Sequence, residues 1–199
     1  CTIFMLLFSI NFALYFLVLC GKVKQALRSD ELRFFLIVVV GSTALIAIDI
    51  WPMYSGADAI RHAAFQVSSI ISTTGFASTN FDLWPEFSRF LLVLLMFIGA
   101  CAGSTGGAIK CSRLLLLLRS IRREVRQVIH PREVNVVKLD GQVVDEGNLR
   151  SVHIFIGAYM LIMLLAVLLV SLDDFSMVTN FSAVASCIGN VGPGLEGVG

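Results

Sequence analysis

The apolar positions fall into four long stretches, set apart by basic clusters and by two shorter helix-like segments. Thr2–Cys20 holds 19 residues without a charge, enough for one bilayer crossing at about 1.5 Å per residue. Gly21 ends it, and Lys22, Lys24 and Arg28 follow. Phe34–Ile50 predicts a crossing in the opposite sense. Asp49 sits near its far end, within reach of water, and Trp51, Pro52 and Tyr54 follow as interfacial aromatics and a helix stop. Arg89–Arg119 and Val152–Leu172 predict two further crossings.

Two segments are helix-like but too short to cross. Ala57–Ile71 has Asp58 in its first turn and Ala63, Ala64, Val67, Ile70 and Ile71 at helical spacing. Its reach is about 22 Å, against a hydrocarbon core of roughly 30 Å. A dip into the membrane fits better, ending at Ser72-Thr73-Thr74-Gly75-Phe76. Non-helical backbone is tolerated at membrane depth only where protein surrounds it or it lines a watery cavity. Phe175–Ile188 repeats the theme, with Asp173 and Asp174 placed to cap it and Gly189-Asn190-Val191-Gly192-Pro193-Gly194 after it.

Arg89–Arg119 is longer than a crossing needs and is interrupted by Gly99-Ala100-Cys101-Ala102-Gly103-Ser104-Thr105-Gly106-Gly107. Each glycine in a helix interior costs roughly 1 kcal/mol relative to alanine. Gly99, Gly103, Gly106 and Gly107, with Ser104 and Thr105, therefore predict an unwound loop within the membrane, below Ser72–Phe76. Close helix packing through small residues is the alternative.

Setting Gly75 on Gly192 gives an offset of 117, at which Val67 meets Val184, Ser69 meets Ser186 and Ile71 meets Ile188. The plan of span, half-helix and glycine-bearing strand thus occurs twice. Repeats in one orientation imply units arranged around an axis along the membrane normal. The boundaries follow: 1–20 a helix of a preceding repeat, 21–33 a cytoplasmic loop, 34–119 one full repeat with a broken inner helix, 120–150 a cytoplasmic connector, and 151–199 a further repeat up to its strand. The chain reads as an excerpt, opening inside an apolar run at Cys1 and stopping at Gly199 just past the second strand.

Composition agrees. Hydrophobic residues make up 57% and charged residues 15% of 199 residues, with a mean hydropathy of +0.85. A soluble domain carries about 25% charge, so the class is an all-α integral membrane protein. Net charge is +1, yet thirteen of fifteen Lys and Arg lie within Lys22–Arg33 and Lys110–Arg150, which marks the cytoplasmic side. The Arg113–Arg126 cluster continues from a leucine-rich span, which argues against nucleic-acid binding. Arg119, Arg122, Arg123 and Arg126 lie on one face of a short helix that stops near Pro131, ahead of a turn at Asp140-Gly141. Cys1, Cys20, Cys101, Cys111 and Cys187 have no metal-site spacing and read as small core residues. The first apolar run lacks the basic start and cleavage site of a signal peptide.

The strands suit a dehydrated potassium ion, which needs carbonyl oxygens in place of its water shell. Glycine lets the backbone turn its carbonyls without a side chain in the way. Ser72, Thr73 and Thr74 add hydroxyls, and neither strand carries a carboxylate. Both half-helices end at the strands, so their partial negative charges favour a cation there. A secondary cation transporter, coupled to protons or sodium and working by alternating access, is the alternative. It lacks an ionisable residue at a span centre to couple protons. A membrane enzyme or structural subunit finds no His/Glu or Cys/His constellation, since His62, His130 and His153 are scattered.

Ser72–Phe76 after a half-helix, Gly99–Gly107 within the next helix, and Asn190-Val191-Gly192-Pro193-Gly194 ending the following repeat together resemble the Trk/Ktr/HKT superfamily, and within it the bacterial Trk potassium-uptake pore subunits. The resemblance covers essentially the whole chain. It implies four helix–half-helix–helix repeats around one pore, a homodimer of full-length pore subunits in the lipid of the bacterial inner membrane, and a cytoplasmic nucleotide-binding regulatory subunit. It implies that Ser72, Thr73, Thr74, Gly75 and Phe76 and Gly189, Asn190, Val191, Gly192 and Pro193 are filter strands. Potassium, as transported ligand, would bind at Thr73, Thr74, Gly75, Asn190, Val191 and Gly192. Gly99, Gly103, Ser104, Thr105, Gly106 and Gly107 would form a gating loop, with no covalent cofactor and no enzymatic activity. Asn190-Val191 in place of Thr73-Thr74 makes the ring asymmetric.

Overall fold

The computed structural model describes residues 1–130 and 136–198; the stop expected at Pro131 lies outside them. The charge-free run near the N-terminus is not the single straight crossing its composition predicts. It folds as two helices, α1 (Thr2–Phe8) and α2 (Phe12–Leu19), bent by 91°. The break is stabilised by tertiary partners that hydropathy cannot register. The Cys101 N–H donates to the Ser9 carbonyl at 3.0 Å, and the Phe12 N–H donates to the Gly103 carbonyl at 3.2 Å. Asn11 caps α2 by accepting from the Ala13 N–H at 2.9 Å. Backbone freed from a helix at membrane depth must be satisfied within the protein, and here the glycine-rich segment does so.

After the short α3 (Val23–Ala26), α4 (Asp30–Asp49) is a full crossing-length helix. Its buried Phe35, Val39, Ser42, Ile46 and Ile50 recur every three to four residues, one face turned inward. That face packs on α5 (Gly56–Ile71), the expected half-helix. Every residue of α5 from Gln66 to Ile71 is buried, so its inner end is surrounded by protein. At 16 residues it reaches only about 24 Å. Next, α6 (Glu86–Ile98) contributes Leu92, Val93, Leu95 and Met96 to the same core. The interruption expected at Gly99–Gly107 is present: the helix stops at Ile98, and α7 (Cys111–Ile129) resumes after twelve residues.

Within 120–150, expected as a cytoplasmic connector, the described residues include a hairpin, β1 (Lys138–Leu139) and β2 (Gln142–Val143), joined by Asp140 at φ 51° and Gly141 at φ 80°. Two residues with positive φ match the tight turn whose twist suits a hairpin. Buried Val137 joins Leu116 and Leu149 in a small second core. The hairpin is also tied to α4: the Asp30 N–H donates to Asp140 Oδ1 at 2.6 Å and the Asp140 N–H to Asp30 Oδ2 at 3.1 Å. Arg119 bridges Asp30 at 3.0 Å and donates to the Lys138 carbonyl.

The chain closes with α8 (Glu146–Val170), apolar and mostly exposed, and α9 (Met177–Gly189), the second half-helix. Its cap is Ser176, whose hydroxyl accepts from the Thr179 N–H at 3.1 Å. Asp173 and Asp174 fall one turn too early for the capping expected of them. The expectation that the cysteines are core residues holds for Cys101 and Cys111, whereas Cys1, Cys20 and Cys187 are exposed.

Asp49 does more than reach water. Its carboxylate accepts from the Ser88 N–H at 3.2 Å and the Ser88 hydroxyl at 2.5 Å, capping α6 from a neighbouring helix. Asp49→Ala should destabilise the protein by about 1–3 kcal/mol, with Asp49→Asn losing less because it keeps an acceptor. Thermal unfolding of the full-length protein in detergent measures this; equal stability of the alanine variant and the wild type would contradict the assignment.

Candidate functional site

Both half-helices end in the same backbone plan. After α5, Thr73 and Gly75 have φ of 56° and 79°; after α9, Asn190 and Gly192 have φ of 57° and 115°. These positions coincide at the offset of 117 read from the sequence. The hydrogen bonds coincide as well. The Thr73 N–H donates to the Ile70 carbonyl at 3.0 Å and the Thr74 N–H to the Ser69 carbonyl at 2.9 Å. Their counterparts are the Asn190 N–H to the Cys187 carbonyl at 3.2 Å and the Val191 N–H to the Ser186 carbonyl at 2.9 Å.

The third bond differs. The Gly75 N–H donates to the Ser69 carbonyl at 3.3 Å, and the Ser69 hydroxyl turns to the Phe76 carbonyl at 2.5 Å. In the other strand the Gly192 N–H donates to the Ser186 hydroxyl at 2.9 Å. Ser69 and Ser186 are therefore holding residues for their strands. Sequence reasoning met them only as a repeat identity and gave them no role; that identity was the available signal.

The strands' N–H groups are thus turned back into the half-helix ends. Among the described residues no donor reaches the carbonyl oxygens of Thr73, Thr74, Gly75, Asn190, Val191 or Gly192. The strands also meet. The Gly75 Cα lies 3.9 Å from where a Cβ on Gly192 would stand, and a Cβ on Gly75 would collide with the Val191 carbonyl oxygen and touch Pro193 Cδ at 3.1 Å. Two helix C-termini and two rows of unclaimed carbonyls form a region of negative potential, suited to a cation. Thr74 and Ser72 bond to each other through their hydroxyls at 2.7 Å, whereas the Phe76 side chain is exposed.

Gly99–Lys110 is a loop whose ends are close, extending three residues past the expected Gly107. The Ile109 N–H donates to the Phe97 carbonyl at 3.2 Å and the Cys111 N–H to the Ala100 carbonyl at 3.0 Å, pinching its base. The Lys110 ammonium donates to the Ser104 carbonyl at 3.3 Å, and the Ser104 hydroxyl to the Cys101 carbonyl at 2.5 Å. The tip touches both strands. The Gly107 N–H donates to Thr73 Oγ1 at 3.1 Å. A Cβ on Gly107 would stand 2.6 Å from the Gly189 carbonyl, and one on Gly106 would stand 3.5 Å from that of Ser72. The absence of side chains here allows a close approach rather than merely loosening the helix. Gly103 and Thr105 lie on the outer side of the loop, against Asn11 and the Phe8 carbonyl.

Glu31 is a second residue that sequence reasoning passed over. It falls in the stretch 21–33 expected as a cytoplasmic loop, but it is 93% buried and accepts from the Ala102 N–H of the loop at 2.6 Å. Beyond the second strand, the Glu196 N–H donates to Asp82 at 3.0 Å. Asp82 is paired with Arg89 at 3.1 Å. The Ser176 and Thr179 hydroxyls hold the Glu196 carboxyl below its ordinary range. No group of three or more His, Cys, Asp or Glu stands together among the described residues.

Known proteins resemble the chain along nearly its whole length. A family model described as "TrkH: Cation transport protein" matches residues 1–197. The chain is 37% identical to the Trk system potassium uptake protein TrkH of Escherichia coli (strain K12), over 97% of this chain and 41% of that protein. It is 34% identical to the Trk system potassium uptake protein TrkG of the same organism, over 96% of this chain and 40% of that one. The solved structure of the potassium transporter TrkH from Vibrio parahaemolyticus superposes with a TM-score of 0.91 at 34% identity, over 99% of this chain and 43% of that chain. The chain thus spans about two fifths of the length of these relatives.

The two glycines differ in surroundings, which yields a discriminating test. Gly192→Ala meets only its positive φ and should cost about 1–2 kcal/mol. Gly75→Ala adds a collision with backbone and should cost roughly 3 kcal/mol or more. Thermal unfolding of the two full-length variants compares them, and equal losses would contradict the described contact between the strands.

Proposed function

The chain belongs to the TrkH family of cation transport proteins, and from that premise we propose that it forms one side of a potassium-uptake pathway across the cytoplasmic membrane. In this reading Ser72–Phe76 and Gly189–Pro193 are two walls of a selectivity filter. Potassium sheds water and is held by the carbonyls of Thr73, Thr74, Gly75, Asn190, Val191 and Gly192. One observation carries the proposal: two strands with the same backbone plan meet at Gly75 and Gly192, their N–H groups turned inward to the half-helices and their carbonyls unclaimed. Carbonyl dipoles in this arrangement replace a hydration shell without an acidic residue. Relatives named as potassium uptake proteins support the choice of ion.

The Gly99–Lys110 loop is the gate. Its tip lies against both strands through Gly106 and Gly107, so its displacement alters the space beneath the filter. Within a complete pore, two further repeats would supply the opposing carbonyls, full-length subunits would pair as dimers, and a cytoplasmic nucleotide-binding partner would set the loop's position. The resemblance of the filter and loop motifs supports these three points. A family of cation transport proteins also favours transport over catalysis.

Rubidium uptake by the full-length protein, in cells stripped of their own potassium uptake, tests the filter. Wild type should restore uptake without competition from sodium. Gly75→Ser should lower uptake at least about tenfold or admit sodium, because a displaced carbonyl loses the fit on which selection depends. Unchanged potassium over sodium discrimination in that variant would sink the filter assignment.

A further inference from the structure

The loop is held in place by contacts of unequal chemistry. Most are neutral backbone bonds, such as the Cys101 N–H to the Ser9 carbonyl and the Phe12 N–H to the Gly103 carbonyl. Such bonds have ready substitutes when a loop moves. Glu31 is different. It is the second residue of α4, buried, and its carboxylate accepts from the Ala102 N–H at 2.6 Å. Glu31 thus ties the start of α4 directly to the backbone of the loop. A buried carboxyl group stripped of its donor is costly, and here the donor is the loop's own backbone.

Its neighbour Asp30 faces the other way, toward Arg119 and the Asp140 turn of the hairpin. The first two residues of α4 therefore grip the loop on one side and the connector on the other. The hairpin and the loop are thus tied to the same helix end.

We infer that Glu31 is the positioning residue that latches the Gly99–Lys110 loop against the filter strands, so that releasing the Glu31–Ala102 bond frees the loop to leave the pathway. This rests on the reading of the loop as a gate. It differs from that reading in naming the group, outside both loop and filter, that sets the closed position.

The test is basal rubidium flux through the full-length protein in liposomes, without a regulatory partner. Five proteins are compared: wild type, Glu31→Ala, Glu31→Gln, a variant lacking Gly103–Gly106, and that deletion combined with Glu31→Ala. Loss of this buried bond should raise basal flux roughly tenfold in Glu31→Ala and about two- to threefold in Glu31→Gln, whose amide oxygen still accepts. Combining Glu31→Ala with the loop deletion should add nothing to the deletion alone, since a latch has no effect without its loop. A capping role alone would lower the amount of folded protein without opening it.

If the deletion raises flux while both Glu31 variants conduct like wild type at equal protein levels, the latch is overturned and the gate reading stands. If the deletion leaves flux unchanged, the gate reading falls and the latch with it. Should Glu31→Ala fail to reach the membrane, Glu31→Gln decides alone: a raised flux supports the latch, and wild-type flux overturns it.

Discussion

The rest of the structure depends on one constraint: backbone that leaves a helix inside a membrane protein must find hydrogen-bond partners there. Ser72–Phe76 and Gly189–Pro193 meet it asymmetrically. Their N–H groups return to the last turn of their own half-helices, through Ser69 and Ile70 in one case and Ser186 and Cys187 in the other. That leaves the carbonyls as the groups facing outward from each strand. A strand hydrogen-bonded on both sides would have nothing to offer an ion. The half-helix is therefore both anchor for the strand and source of a negative helix terminus beside it.

The same constraint explains the two breaks flanking the strands. The Gly99–Lys110 loop would be costly as free backbone, and its groups are shared among Ser9, Phe12, Glu31 and Thr73. The bend between α1 and α2 would be equally costly alone. Each break satisfies the other, which is why a charge-free run of crossing length folds at 91°. Gly106 and Gly107 then bring the loop within contact of both strands, and at Gly107 a Cβ would stand 2.6 Å from the Gly189 carbonyl.

Much of this was legible in the sequence because its signals are local. The short reach of Ala57–Ile71, the four glycines of Gly99–Gly107 and the 117-residue offset located the half-helix, the loop and the second strand. Asp140-Gly141 announced its turn by residue type. What escaped depends on distant partners. Nothing in Thr2–Cys20 reveals that Ser9 will meet Cys101. Glu31 lies in a stretch that reads as a cytoplasmic loop until Ala102 arrives beside it. Asp173 and Asp174 have the chemistry of caps, yet the helix begins at Ser176, where the register of α9 against its neighbours places it. Ser69 and Ser186 were visible as an identity but not as strand holders, because their bonds need the strand's coordinates.

The central claim is that carbonyls of the two strands bind the transported ion, and anomalous scattering from thallium or rubidium bound to the crystallised full-length protein tests it most directly. The account predicts density between Thr73–Gly75 and Asn190–Gly192, within ligand distance of their carbonyl oxygens, and its loss in excess sodium does not occur. Density confined to other sites, with the space between these strands empty at saturating ion, would contradict it.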